Sequence, residues 1–173
     1  MRIAVRQWPA RTLGATAAAL LLAGYPVGAA HATAQHGRDM NITAHFAAIV
    51  SADPDTVTCG GFDVTAQGSA AGAPIGGNGT WQDQEKACTL SLPGQYDING
   101  TAVIGAGAGN TITLTYHLTA PLTETPVVHP SGTYLVTGGT GAYAYATGGG
   151  RMNAVVDLKD TSHVSASLHG TLY

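Results

Sequence analysis

Gly138-Gly139-Thr140-Gly141 follows the apolar run Tyr134-Leu135-Val136, and this order of residues can do one kind of chemistry. Glycines after a strand let the N-terminus of a following helix approach a pyrophosphate. That use requires a helix after the turn, and Gly148-Gly149-Gly150 would interrupt one almost at once. Too little chain remains beyond the motif to complete a doubly wound sheet, so no nucleotide cofactor is expected. Gly105-Ala-Gly-Ala-Gly109 fails in the same way, because Thr111 onward alternates as a strand.

The remaining reactive side chains are dispersed. His36, His45, His117, His129, His163 and His169 include no i, i+2 or i, i+4 pair, so no metal site is expected. Asp83 and Glu85, with Lys86 beside them, read as a solvated hairpin tip rather than a catalytic carboxylate pair. No Ser occupies a Gly-x-Ser-x-Gly elbow, and Asp160-Thr161-Ser162-His163 is too compressed for a triad. The sequons at Asn41, Asn78 and Asn99 carry meaning only in a eukaryotic secretory route and are read as chance. Catalytic residues are thus unassigned.

The elements that must position these side chains are strands. Gly, Thr and Ala dominate, and short alternating segments recur between Gly, Pro, Asn and Asp clusters, the pattern of an all-β barrel or sandwich. Ile42, Ala44, Phe46, Ala48 and Val50 share one face of a first strand over 41–51. Asp53-Pro54-Asp55 is a turn, segments 57–66 and 80–92 carry the cysteines, with Gly-rich linkers around Gly72 and Gly76-Gly77, and 96–104 follows. In 111–119, Ile112, Leu114, Tyr116 and Leu118 face one side and threonines with His117 face the other. From Ala142 to Leu158 the even positions are all small or apolar. One long strand bent at Gly148-Gly149-Gly150 is expected there. A final strand from Val164 to Leu172 is placed to close the sheet, giving a single antiparallel β-barrel of roughly eight strands. Phe46, Tyr116, Tyr134 and Met152 would then point inward, either as packed core or as the lining of a ligand cavity, with Tyr143 and Tyr145 outside.

Composition places the chain in a compartment. Arg2, Arg6 and Arg11 precede an uncharged stretch from Leu13 to Ala23 and small-residue cleavage patterns at Ala30-His31-Ala32 and Ala32-Thr33-Ala34. The apolar stretch is too short to span a bilayer, so residues 1–34 read as a cleaved signal peptide, 35–40 as a tail and 41–173 as the domain. The expected product is secreted, extracellular and without a membrane anchor. Four basic residues remain in it against ten acidic ones, a charge near −6 that excludes a nucleic-acid partner. Cys59 and Cys88 are the only cysteines and read as a disulfide in an oxidising compartment.

The segment from Tyr134 to Gly148 resembles the glycine hairpin shared by dirigent proteins and allene oxide cyclases, and the Ala/Gly/Thr-rich composition resembles secreted bacterial proteins. The resemblance implies an eight-stranded antiparallel barrel around a hydrophobic cavity, with Gly138, Gly139, Thr140 and Gly141 as its structural turn. It implies coupling of phenoxy radicals, work on quinone methides, or closure of a fatty-acid epoxide. Active dirigent proteins commonly carry a polar or acidic group and an Arg where this chain has Ala142 and Thr147, and the cyclases' first-strand Glu has no counterpart over 41–51. The expected function is therefore binding of a small hydrophobic ligand, or a structural role, without catalysis. The alternative is a cyclase or isomerase using groups such as Tyr116 or Tyr134. Oligomeric state is left open.

Overall fold

The computed structural model describes residues 36–173 apart from Glu124. The leader expected over residues 1–34 lies outside the described residues. Strands β1 (Arg38–Ala52), β2 (Phe62–Ala73), β3 (Gly76–Cys88), β4 (Gln95–Gly105) and β5 (Thr111–Pro121) form a meander. After them come the short β6 (Val127–Val128), then β7 (Ser131–Thr140), β8 (Gly148–Asp157) and β9 (Val164–Leu172). Every pairing is antiparallel, β5 pairs directly with β7, and β9 pairs with both β8 and β1, which closes an eight-stranded barrel with β6 as an appendage on β8. Closure leaves no long unpaired edge on strands rich in threonine. No helix among the described residues is long and apolar enough to cross a membrane.

Period-two alternation explains the burial. On β5, Ile112, Leu114, Tyr116, Leu118 and Ala120 are buried while the intervening threonines and His117 are partly or fully exposed. One half of the interior is solid: Met40, Ile42, Trp81, Ile104, Ile112, Leu114, Tyr134 and Leu168 are all fully buried there. Phe46 stacks on Trp81 with ring centroids 5.5 Å apart and planes 10° from parallel. Cys59, in the loop after β1, is bonded to Cys88 at the end of β3. Closing this loop of 29 residues stabilises the fold by roughly 3–4 kcal/mol in the chain-entropy account.

The structure corrects five expectations. β1 begins at Arg38, so the expected tail at 35–40 is partly strand. β2 and β3 run through the glycines at 72, 76 and 77, so those residues are not linkers, and Cys59 lies in a loop rather than a strand. No single strand runs from Ala142 to Leu158: Gly141–Tyr143 is a turn of 3-10 helix and β8 starts only at Gly148. Polar contacts override the apolar phase here. The Ala142 N–H donates to Asn110 Oδ1 (2.9 Å) and the Ala144 N–H donates to the Gly141 carbonyl (3.2 Å). Tyr143 is consequently half-buried against the core, whereas Tyr145 is exposed.

The glycine hairpin is also wider than a tight turn. Pairing of β7 with β8 starts at Val136 and Gly148, while Gly138, Gly139 and Thr140 stay on β7 and pair with β5 after a bulge. Gly138 and Gly141 have φ of 136° and 58°, and a Cβ on Gly141 would lie 2.1 Å from Asn110 Oδ1. Gly141→Val is expected to lose about 1–3 kcal/mol in urea unfolding. An unchanged unfolding midpoint would contradict the turn geometry.

Candidate functional site

The other half of the barrel is not filled. A cavity of about 90 Å³ opens at the end formed by the C-terminal parts of β1, β3, β5 and β8 and the N-terminal parts of β2, β4 and β9. Its walls are apolar, with Phe46, Val64, Ile98, Leu118, Met152 and Val164 among them, and Val50, Phe62 and Leu158 form a partly exposed rim. Four polar side chains join this lining: Asp83, Glu85, Tyr96 and Thr161. Thr161 already donates its hydroxyl to the Ala48 carbonyl (3.0 Å).

Asp83 and Glu85 lie in the middle of β3 and face inward, which overturns the reading of these residues as a solvated hairpin tip. Trp81 and Ala87 are buried in the same phase, while Gln82, Gln84 and Lys86 face outward. The strand therefore carries both acids into the barrel because its flanking apolar residues fix the register. Lys86 does not follow them: on the outer side its ammonium pairs with the buried Asp53 and lies 3.4 Å from Asp63. That ammonium holds the Asp53 carboxyl below the usual range.

Inside, three groups converge. The Trp81 Nε1–H donates to Asp83 Oδ2 at 2.9 Å. The Tyr116 hydroxyl lies 2.7 Å from Glu85 Oε2 and 3.2 Å from Asp83 Oδ2, and its single proton can serve only one of the two acids at a time. Asp83 Oδ1 is buried with no hydrogen-bond partner. Tyr116 reaches the acids by lying over Gly100, which sits between Glu85 and Tyr116 in the strand register. A Cβ on Gly100 would lie 2.3 Å from Tyr116 Cζ.

Burial in this setting favours neutral carboxyls. Loss of solvent raises Asp83 to about 6, against the opposing hydrogen bonds from Trp81 and Tyr116. Loss of solvent and then the charge of Asp83 raise Glu85 to about 7. Burial and both carboxylates push the Tyr116 phenol far above its ordinary value, so it serves as a proton donor in hydrogen bonds and stays un-ionised.

Of the interior residues expected from sequence, Phe46 and Met152 line the cavity. Tyr116 meets it through the two acids, and Tyr134 belongs to the packed half, its hydroxyl buried without a partner. Trp81, Asp83 and Glu85 were not anticipated as site residues. No group of three or more His, Cys, Asp or Glu suited to a metal ion occurs among the described residues.

Because both acids have folded-state values above their ordinary 3.8 and 4.5, the fold binds their protonated forms better than the unfolded chain does. Their stabilising contribution is complete below about pH 4 and is lost as pH rises through about 6 and about 7. Glu85→Gln should therefore lose less stability than the wild type between about pH 5 and pH 8, by on the order of 2–3 kcal/mol in urea unfolding. Parallel pH dependence of the two proteins would show that Glu85 ionises as freely as a surface acid.

No family model matches the sequence, and no curated protein matches it. Among solved structures, the pterocarpan synthase dirigent protein PsPTS1 is similar with a TM-score of 0.48 and 14% identity, over 80% of this chain and 96% of that one. The pterocarpan synthase dirigent protein GePTS1 is similar with a TM-score of 0.46 and 17% identity, over 80% of this chain and 90% of that one.

Proposed function

We propose that this protein is a secreted β-barrel that binds a small, mainly hydrophobic molecule at one end of the barrel, without catalysis. The observation that carries this reading is the contrast between the two halves of the interior. One is filled by large side chains, and the other leaves an apolar cavity with an open, apolar rim. An apolar space with a few convergent polar groups is the usual form of a small-molecule site. Export rests on the expected leader, and the Cys59–Cys88 bridge suits an oxidising compartment.

A cyclase or isomerase is the second reading, favoured by one specific observation. Glu85, raised to about 7, and Asp83, raised to about 6, gain and lose protons close to neutral pH beside an apolar space, as a general acid and its partner base require. In that case Glu85→Gln would abolish conversion of a bound molecule.

Two described methionines give an internal control for binding, since Met152 lines the cavity and Met40 lies in the packed half. With ¹³C-methyl-labelled methionine, titration with 2-phenylethanol should shift the Met152 signal and leave that of Met40 in place. Ala154→Phe, which fills the cavity from β8, should suppress the shift while the protein still unfolds cooperatively. No movement of Met152 in the wild type, or the same movement in a folded Ala154→Phe protein, would rule out this cavity as the binding site.

A further inference from the structure

The cavity holds two acids and, among the described residues, no cation lines it. On the barrel wall the strand partners of Glu85 are Val64 and Gly100, and those of Asp83 are Ala66 and Ala102, none of which has a polar side chain. Tyr116 from β5, Tyr96 from β4, Thr161 from the loop before β9 and the indole of Trp81 complete the polar surroundings, and none is a cation. Lys86, adjacent in sequence, is engaged on the outer face by Asp53 and Asp63. Arg38, Arg151 and Lys159 are exposed and do not line the cavity.

Asp83 itself is only 6% exposed, and its Oδ1 has no partner. A buried acceptor left unpaired is costly unless something absent from the chain alone satisfies it. Where both acids are ionised, the phenol of Tyr116 offers one proton to two carboxylates, so the network then lacks donors. A divalent cation takes six or more oxygen ligands, and since the apolar walls add none to the two carboxylates, several waters would have to enter the cavity with it. An ammonium group brings a positive charge and several N–H donors in a volume small enough for this site.

We propose that the ligand of this cavity is a small hydrophobic amine, whose ammonium group is held by Asp83 and Glu85 and whose hydrocarbon part lies against Phe46, Ile98 and Met152. The proposal rests on the cavity being a binding site, and it specifies the charge of what binds. Anionic ligands such as fatty or aryl carboxylates are disfavoured by the two acids where these are ionised. Neutral ligands of the same shape bind, but an alcohol brings a single O–H donor and no charge to the two acids. A site of this volume takes the ammonium and part of a single ring or short chain, with the remainder leaving through the rim formed by Val50, Phe62 and Leu158.

The ammonium must compete with protons for the same oxygens, which fixes the pH dependence. The amine is held most tightly where both acids are ionised, above about pH 7, and its advantage fades as pH falls through about 7 and about 6. At intermediate pH, binding expels a proton from the pair.

Three probes that share one phenylethyl group test this on the full barrel: 2-phenylethylamine, 2-phenylethanol and 3-phenylpropanoate, each titrated against the Met152 methyl signal. At about pH 8 the amine is expected to bind ~10-fold or more tightly than the alcohol, and the carboxylate more weakly than either. At about pH 5 the ratio of amine to alcohol should fall to roughly one. Calorimetry of the amine near pH 6.5 in buffers of different ionisation enthalpy should report net proton release. In Glu85→Gln the ratio at about pH 8 should drop towards one, and unfolding curves establish that the variant is folded. Equal affinity of amine and alcohol at about pH 8 overturns the proposal while leaving the binding site in place. A wild-type Met152 signal that none of the three probes moves overturns the binding site and the proposal together.

Discussion

Around the middle of the barrel runs a row of paired residues on which the site depends: Glu85, Gly100, Tyr116, Tyr134, Gly150, Gly170 and Met40. Tyr116 and Tyr134 are neighbours in this row, on β5 and β7. They lean apart, Tyr116 over Gly100 towards the acids and Tyr134 towards Gly170, where a Cβ would lie 2.5 Å from the Tyr134 hydroxyl. The glycines are therefore part of the packing, in places that a side chain would otherwise occupy. Because of this sorting, the hydroxyl of Tyr116 meets Glu85 and Asp83, whereas that of Tyr134 is sealed in the solid half without a partner.

The same row divides the interior. On one side Trp81, Tyr134 and the large aliphatic residues fill the space, and on the other small residues such as Ala48, Ala87 and Ala154 leave it open. Phe46 stacked on Trp81 lies at the boundary, and the indole N–H passes directly to Asp83. Packing and polarity are thus coupled: the side chains that close one half also orient the acids at the edge of the other. A pair of buried acids without a cation lowers stability at neutral pH. Its persistence in an otherwise apolar barrel fits a site arranged around what it binds.

The barrel was legible because β1, β5 and β9 alternate without exception over their buried parts, and because a strand reaching Leu172 can close a sheet. Alternation misled from Ala142 to Ala146, where alanines fit a strand phase yet carry no strong preference, and the Asn110 side chain with the positive φ of Gly141 decides for a turn. The acids were missed for the opposite reason. Asp83, Glu85 and Lys86 read as a solvated cluster by residue type, although Trp81 and Ala87 in phase with the two acids already marked the inward face. Type outweighed phase, and phase was right. The approach of Tyr116 to both acids joins β3 to β5 across β4, a contact of side chains 31 and 33 residues apart that no local pattern encodes.

The central claim is that Glu85 holds a proton near neutral pH because it is buried beside Asp83 and Tyr116. A ¹³C NMR titration of side-chain carboxyl carbons measures this directly, with the Glu85 signal assigned by its disappearance in Glu85→Gln. The account predicts a Glu85 midpoint near 7 and an Asp83 midpoint near 6, well above those of the exposed acids. Titration of both carboxyls below about pH 5, with the surface carboxylates, would contradict it.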